Sequence, residues 1–246
     1  MSFITETTLF FDSKQGSGSS QNFTVHYTPP IQLDQTKRYA IGLVSADLWY
    51  SWYNVNTENN RLKYYNGTIW KYIKLQPGVY NITDINTEFK RLIDSDGDQS
   101  VNILIAPNYS TLKCRIILSG NYQIDFTQHN SINTVLGFES RILAQDGTYD
   151  GLYNVNITDI NSLLIRCSVI NDSYINGSSS DCIFNFSPNV PPGSLIQVRP
   201  FAILYLAINT SYNISEITMR ITDQSDKEVN LNDERVTYFL LIKQIL

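Results

Sequence analysis

The chain has 246 residues, 42% of them hydrophobic and 12% aromatic, enough for one large β domain or for one domain with an insert. Charged residues make up only 17% and the net charge is −5, which leaves no electrostatic footprint for nucleic acid. No apolar run approaches the ~20 residues of a membrane-spanning helix, and the N-terminal MSFITETTLFF lacks the basic region of a secretory signal.

In chain order, Phe3 to Phe11 reads as a first β segment, followed by the Gly/Ser-rich tract Lys14 to Ser20. The segment is either an N-terminal arm or a strand on a mobile loop, so residues 1–20 stand as a candidate flexible arm. Asn22 to Thr28 is a short strand closed by Pro29-Pro30. Arg38 to Trp52 is a long run with Tyr39, Ile41, Leu43 and Ser45 on one face. Ala40, Gly42, Val44 and Ala46 lie opposite, small enough for another layer to approach closely. Leu62–Tyr65 and Ile69–Leu75 are aromatic-rich runs joined through Asn66-Gly67, a hairpin signal.

At Pro77-Gly78 the period changes. Ile85, Phe89, Leu92 and Ile93 fall at helical spacing behind Thr83-Asp84, which predicts an amphipathic helix over 83–94 capped by that pair. Three strands follow, Val101–Ile105, Thr111–Leu118 and Tyr122–Phe126. A short helix over Ser131–Phe138 is stopped by Gly137. This change of character assigns residues 78–149 to an inserted α+β domain, with 1–77 and 150–246 as the body and the chain back in the body at Leu152.

The last third carries the clearest pattern. Leu163, Ile165, Cys167 and Val169 recur at every second position with Arg166 and Ser168 between them. Ile217, Met219 and Ile221 do the same around Thr218 and Arg220. A period of two means one face buried and one wet. Pro188, Pro191-Pro192-Gly193 and Pro200 punctuate the strands. The expected fold is all-β: a single jelly-roll β-sandwich with a small α+β insertion domain.

Two strands break the alternation. Ile203–Ile208 and Val236–Ile242 are apolar on both faces. Val236, Tyr238, Leu240 and Ile242 are expected on the core, leaving Thr237, Phe239 and Leu241 on a second apolar face. That face requires cover from a neighbouring subunit or from the chain's own insert. The cluster Trp49, Tyr50, Trp52, Tyr53, Tyr64, Tyr65, Trp70 and Tyr72 divides between packing and a surface for protein or sugar contact. The candidate subunit interface is therefore Phe239, Leu241, Leu204, Leu206, Trp49 and Trp52.

Reactive chemistry is sparse. Nothing orients either histidine, His26 or His129, against a nucleophile. Cys114, Cys167 and Cys182 are odd in number, lack metal-ligand spacing, and read as free thiols in a reducing compartment. The Asp94, Asp96, Asp98 loop puts Gly97 at position four and Ile105 at position twelve, so it fails the calcium-loop spacing and reads as a solvated loop. Asp223, Asp226, Asp233 and Glu234 sit in a polar hairpin loop rather than across a cleft as glycoside hydrolysis demands. No catalytic residue, metal or cofactor is expected.

Several segments in this order resemble one family. They are PIQLDQTKRYAIGLVSADLWYSW, WKYIKLQPGVYNITDIN, TLKCRIILSGNYQIDF, SINTVLGF, NVNITDINSLLIRCSVI, NFSPNVPPGSLIQVRP and ITDQSDKEVNLNDERVTYFLLIKQ. From about Asn22 to Gln244 the chain resembles the penton (minor capsid) proteins of Polinton/Maverick elements, adintoviruses and their virophage relatives. The resemblance implies a non-enzymatic jelly roll that forms homopentamers at icosahedral vertices beside a double jelly-roll major capsid protein. It implies a place in the virion capsid, with assembly in the reducing cytoplasm or nucleus of a host cell. The Gly/Ser tract at Gly16 to Ser20 departs from the family pattern. A jelly-roll carbohydrate-binding or adhesion module is the alternative, and a carbohydrate-active enzyme a third reading.

Overall fold

The computed structural model describes residues 6–157, 160–209 and 212–245. The chain divides into two compact units, Met1–Trp52 with Ile160–Leu246, and Tyr53–Asp159. The first unit opens with β1 (Glu6–Asp12), β2 (Ser17–Ser19), β3 (Asn22–Gln32) and β4 (Arg38–Trp49). The second contributes β5 (Arg61–Tyr65), β6 (Trp70–Lys74), α1 (Ile82–Ser95), β7 (Asn102–Asn108), β8 (Lys113–Ser119), β9 (Gln123–Asp125), α2 (Asn133–Leu136), β10 (Ile142–Leu143) and β11 (Gly147–Asp150). The first unit then resumes with β12 (Leu163–Cys167), β13 (Ser173–Ile175), β14 (Ser178–Ser180) and β15 (Cys182–Phe186). It ends with β16 (Leu195–Val198), β17 (Tyr205–Ala207), β18 (Asn213–Asp223) and β19 (Thr237–Ile245).

The first unit has one sheet of order β1-β19-β4-β16, with β17 also on β4, and another of order β15-β12-β18-β3-β2. Taken in chain order, the eight principal strands are β1, β3, β4, β12, β15, β16, β18 and β19. The sheets then read first-eighth-third-sixth and fifth-fourth-seventh-second, which is jelly-roll winding. The second unit enters between the third and fourth of these strands. Alternation supplies the core: Phe11, Phe23, Ile41, Leu43, Ile165, Cys167, Ile217, Met219, Ile221, Tyr238, Leu240 and Ile242 are all buried.

Four local features depart from the sequence reading. First, the candidate flexible arm is not one over residues 6–20; its first five residues lie outside the described part. β1 pairs with β19 over its full length, from Glu6↔Lys243 to Asp12↔Thr237, and Phe11 is fully buried. The Gly/Ser tract forms a turn, with the amides of Gln15 and Gly16 donating to the Asp12 carbonyl, and then the edge strand β2 on β3. Second, β3 is not closed by Pro29-Pro30. The β18 register jumps from Ile214↔Ile31 to Glu216↔His26, so residues 27–30 need no ladder partner. A proline, having no N–H, is tolerated there.

Third, β4 does not keep one alternation throughout. Its pairing with β19 moves from Phe239↔Ser45 to Leu240↔Leu43, leaving Val44 as an extra residue. Such a bulge exchanges the two faces, so Ala46 is buried and Ser45 is turned outward with Phe239. Fourth, Arg166, expected on a wet face, is buried. Its Nε donates to Thr222 Oγ1 at 3.0 Å, and its Nη1 to Ser180 Oγ at 3.0 Å and to Asp181 Oδ1 at 2.7 Å. Nη2 meets Asp226 Oδ1 at 2.7 Å, and Arg220 Nη2 reaches the other Asp181 oxygen at 2.9 Å. The end of β14 at Ser180 and the loops carrying Asp181 and Asp226 thus cover this part of β12.

The second unit is α+β, with sheets of order β10-β9-β5-β6 and β11-β8-β7. Its core includes Leu62, Tyr64, Ile85, Phe89, Ile93, Ile105, Ile116, Phe126 and Leu136. The sequence boundaries at 77/78 and 149/150 fall inside this unit. The β5–β6 hairpin pairs outward with β9, for example Tyr64↔Ile124, so it belongs with the segment sixty residues later. On the far side, β11 pairs with β8, and the Asn156 amide donates to the Val135 carbonyl at 2.9 Å. The chain therefore re-enters the body at Ile160 rather than Leu152.

The amphipathic helix forms as α1, one residue longer at each end than expected. Its cap is Asn81, not Thr83-Asp84. Asn81 Oδ1 accepts the Asp84 amide at 2.9 Å, and the Asp84 carboxylate accepts the Asn81 amide at 3.3 Å, a capping box. Gly137 ends α2 in the left-handed region, with φ 74°. The β5–β6 turn spans residues 66–69, with Asn66 Oδ1 accepting the amides of Thr68 and Ile69.

Candidate functional site

The outer face of the β1-β19-β4-β16 sheet carries most of the residues expected at a subunit interface. On β19, Tyr238, Leu240 and Ile242 are buried, while Thr237, Phe239, Leu241 and Lys243 are half-buried on the opposite face. Cross-strand register places Phe10 beside Phe239, and Phe10 is 63% exposed. Leu195 pairs with Trp49 at the other end of the face. Trp49 is 40% exposed. The result is two apolar patches that no element of this unit fully covers, Phe10 with Phe239 and Leu241, and Trp49 with Leu195, separated on the same face by the polar row Thr237, Asp47 and Gln197.

Part of the face is roofed by the chain itself. Leu241 pairs with Gly42, and Gly42 also pairs with Tyr205 on β17. A Cβ at Gly42 would strike Ile203 Cγ2 and lie 2.9 Å from the Leu204 carbonyl oxygen. Glycine is therefore what lets the segment before β17 lie against β4. Lys243 Nζ sits 3.5 Å from the centre of the Tyr205 ring. Leu204 remains 61% exposed, whereas Leu206 is half-buried and packs against the sandwich core. Trp52 leaves the candidate surface altogether. It is 6% exposed and stacks on Tyr50 with ring centres 4.0 Å apart. Phe201, on the same segment as Leu204, is fully exposed and was missed because a single aromatic after Pro200 gives no periodic signal.

Several of the other residues weighed for chemistry are buried or held in structural contacts. Cys114, Cys167 and Cys182 are free; burial pushes the first two thiols up to about 12. Asp98 accepts from Tyr64 Oη at 2.7 Å and Asn66 Nδ2 at 3.0 Å, and pairs with Lys71 at 3.0 Å. Burial opposes its charge, but these partners outweigh burial and hold it below the usual carboxylate range. Lys71 also reaches Asp96 at 2.9 Å, so this expected solvated loop is tied to β6. Asp223 Oδ1 accepts the amides of Ser225 and Lys227, shaping a turn. His26 meets Glu216 at 3.3 Å on an exposed strand face. Among the described residues no group of three or more His, Cys, Asp or Glu could hold a metal ion. No helix among them is long and apolar enough to cross a membrane.

No protein-family model matches the sequence, and no curated protein matches it. Among solved structures, the chain is similar to the mavirus penton protein, determined with selenomethionine labelling. The identity is 13% and the TM-score 0.46, with 98% of this chain and 99% of that chain covered.

Proposed function

We propose that this protein is a capsid vertex component, a penton that closes into a homopentameric ring and contacts a double jelly-roll major capsid protein in the virion. The observation that carries this reading is the open apolar surface on the outer face of a jelly-roll sheet, Phe10 with Phe239 and Leu241 at one end and Trp49 with Leu195 at the other. Soluble monomers rarely leave clustered apolar surface of this kind open. A ring covers it, because each copy presents one surface to a different surface of the next, and closure of that contact fixes the number of copies. The order of the family-like segments supports the same role.

Phe239→Asp tests the reading. The side chain lies outside the sandwich core, so the variant should fold with unchanged circular dichroism. At a subunit contact an unpaired charge costs several kcal/mol, and sedimentation velocity should then show monomers. A folded Phe239→Asp protein that still assembles as the parent does removes this face from the interface.

A further inference from the structure

The wet face of the β5–β6 hairpin, entirely within the second unit, carries a second feature. Cross-strand register pairs Arg61 with Lys74, Lys63 with Tyr72 and Tyr65 with Trp70, so three cations and three aromatics share one face. A cleft of about 390 Å³ opens there, lined by Arg61, Tyr72, Ile73, Lys74, Gln128 and His129. That volume lies within the range of small-ligand sites.

The charges are not equivalent. Lys63 is neutralised by Asp125 at 2.9 Å. Arg61 and Lys74 have no ion pair or side-chain hydrogen bond among the described residues, and no carboxylate lines the cleft. The aromatic wall is fixed in place. Tyr72 Oη donates to Gln128 Oε1 at 3.2 Å, and Gln128 Nε2 donates to Asp125 Oδ2 at 2.9 Å, the oxygen that also accepts from Lys63. A ring 60% exposed yet tethered at its hydroxyl is a preorganised apolar plate beside two uncompensated cations.

We infer that this cleft binds an acidic saccharide, its carboxylate or sulfate on Arg61 and Lys74 and its pyranose C–H face against Tyr72. A planar guanidinium grips such an anion through two parallel hydrogen bonds, and aromatic rings present an apolar face with a polar tip. Two free cations beside one aromatic ring suit a small acidic sugar better than a nucleic-acid backbone, which requires a track of phosphate contacts.

The test is titration of the full-length protein, by ligand-observed NMR, with 3′-sialyllactose, a sulfated heparin disaccharide, lactose and a short single-stranded oligonucleotide. One or both acidic sugars should bind, the stronger identifying carboxylate or sulfate as the favoured group, while lactose should not. Arg61→Gln should weaken binding about tenfold or more, the loss of a charge-assisted hydrogen bond. Tyr72→Ala should abolish the saturation transfer to ring protons of the sugar. Both changes are on exposed side chains, and preserved circular dichroism shows that the fold survives. No binding of either acidic sugar, equal binding of lactose, binding of the oligonucleotide alone, or an Arg61→Gln variant with parental affinity would each overturn the assignment.

Discussion

Arg166→Met keeps an unbranched apolar stem on β12 and removes the guanidinium, with its charge and its donors. Arg166 is 7% exposed and its ion-pair partners Asp181 and Asp226 are 25% and 66% exposed. The change leaves Ser180 Oγ and Thr222 Oγ1 without their arginine and leaves Asp181 with Arg220 alone. Breaking a fully buried pair costs ~3–5 kcal/mol, and exposed pairs contribute ~0–1 kcal/mol. The mixed exposure here puts the expected loss at about 2–4 kcal/mol. For a protein of this size that corresponds to a fall of roughly 4–16 °C in Tm, read by scanning calorimetry at pH 7.

The pH dependence gives an independent check on the same residue. Burial opposes the charge on Asp181, but Arg166 and Arg220 outweigh it and hold the carboxyl below its ordinary value. A depressed folded-state pKa contributes stability that is present above the unfolded value, ~3.9 for Asp, and is lost as pH falls through the folded one. The deficit of Arg166→Met should therefore be full at pH 7 and shrink below about pH 4. A variant within ~0.5 kcal/mol of the parent at pH 7, or a deficit that does not change with pH, would refute this account of the cluster.

Two other outcomes follow from the structure. Asn81→Ala removes the cap of α1 and should cost about 1 kcal/mol, seen as faster amide exchange at Asp84, whose N–H loses its acceptor; unchanged exchange there would show that the cap is idle. Under native conditions Cys182, half-buried, should react with a disulfide reagent well before Cys114 and Cys167, whose thiols are buried and raised to about 12; equal rates for all three would contradict their placement.

The strands of the body were legible because they rest on short-range pattern. Period-two runs at Leu163–Val169 and Ser215–Ile221 form β12 and β18, and the double-faced run at Val236–Ile242 lies in β19 with its two rows facing as the alternation requires. What was not legible depends on partners far along the chain. The hairpin of Arg61–Lys74 carries no mark that its neighbour is Gln123–Asp125, so the insert boundary was drawn too late. Nothing in the sequence around Val44 announces the bulge that turns Ser45 outward, since the extra residue appears only against β19. Arg166 sits at a position whose neighbours on the strand suggest solvent, and only the loop residues Asp181 and Asp226 close over it. Trp52 and Trp49 look alike as exposed aromatics in sequence; stacking on Tyr50 draws one into the core, and pairing with Leu195 leaves the other on the outer face.

Assembly is the central claim, and the mass of the purified full-length protein in solution tests it most directly. Mass photometry should show one dominant species at five times the 28.1 kDa chain mass, and class averages of the same sample should show a closed five-fold ring. A monodisperse monomer, or a closed assembly of any other order, would contradict it.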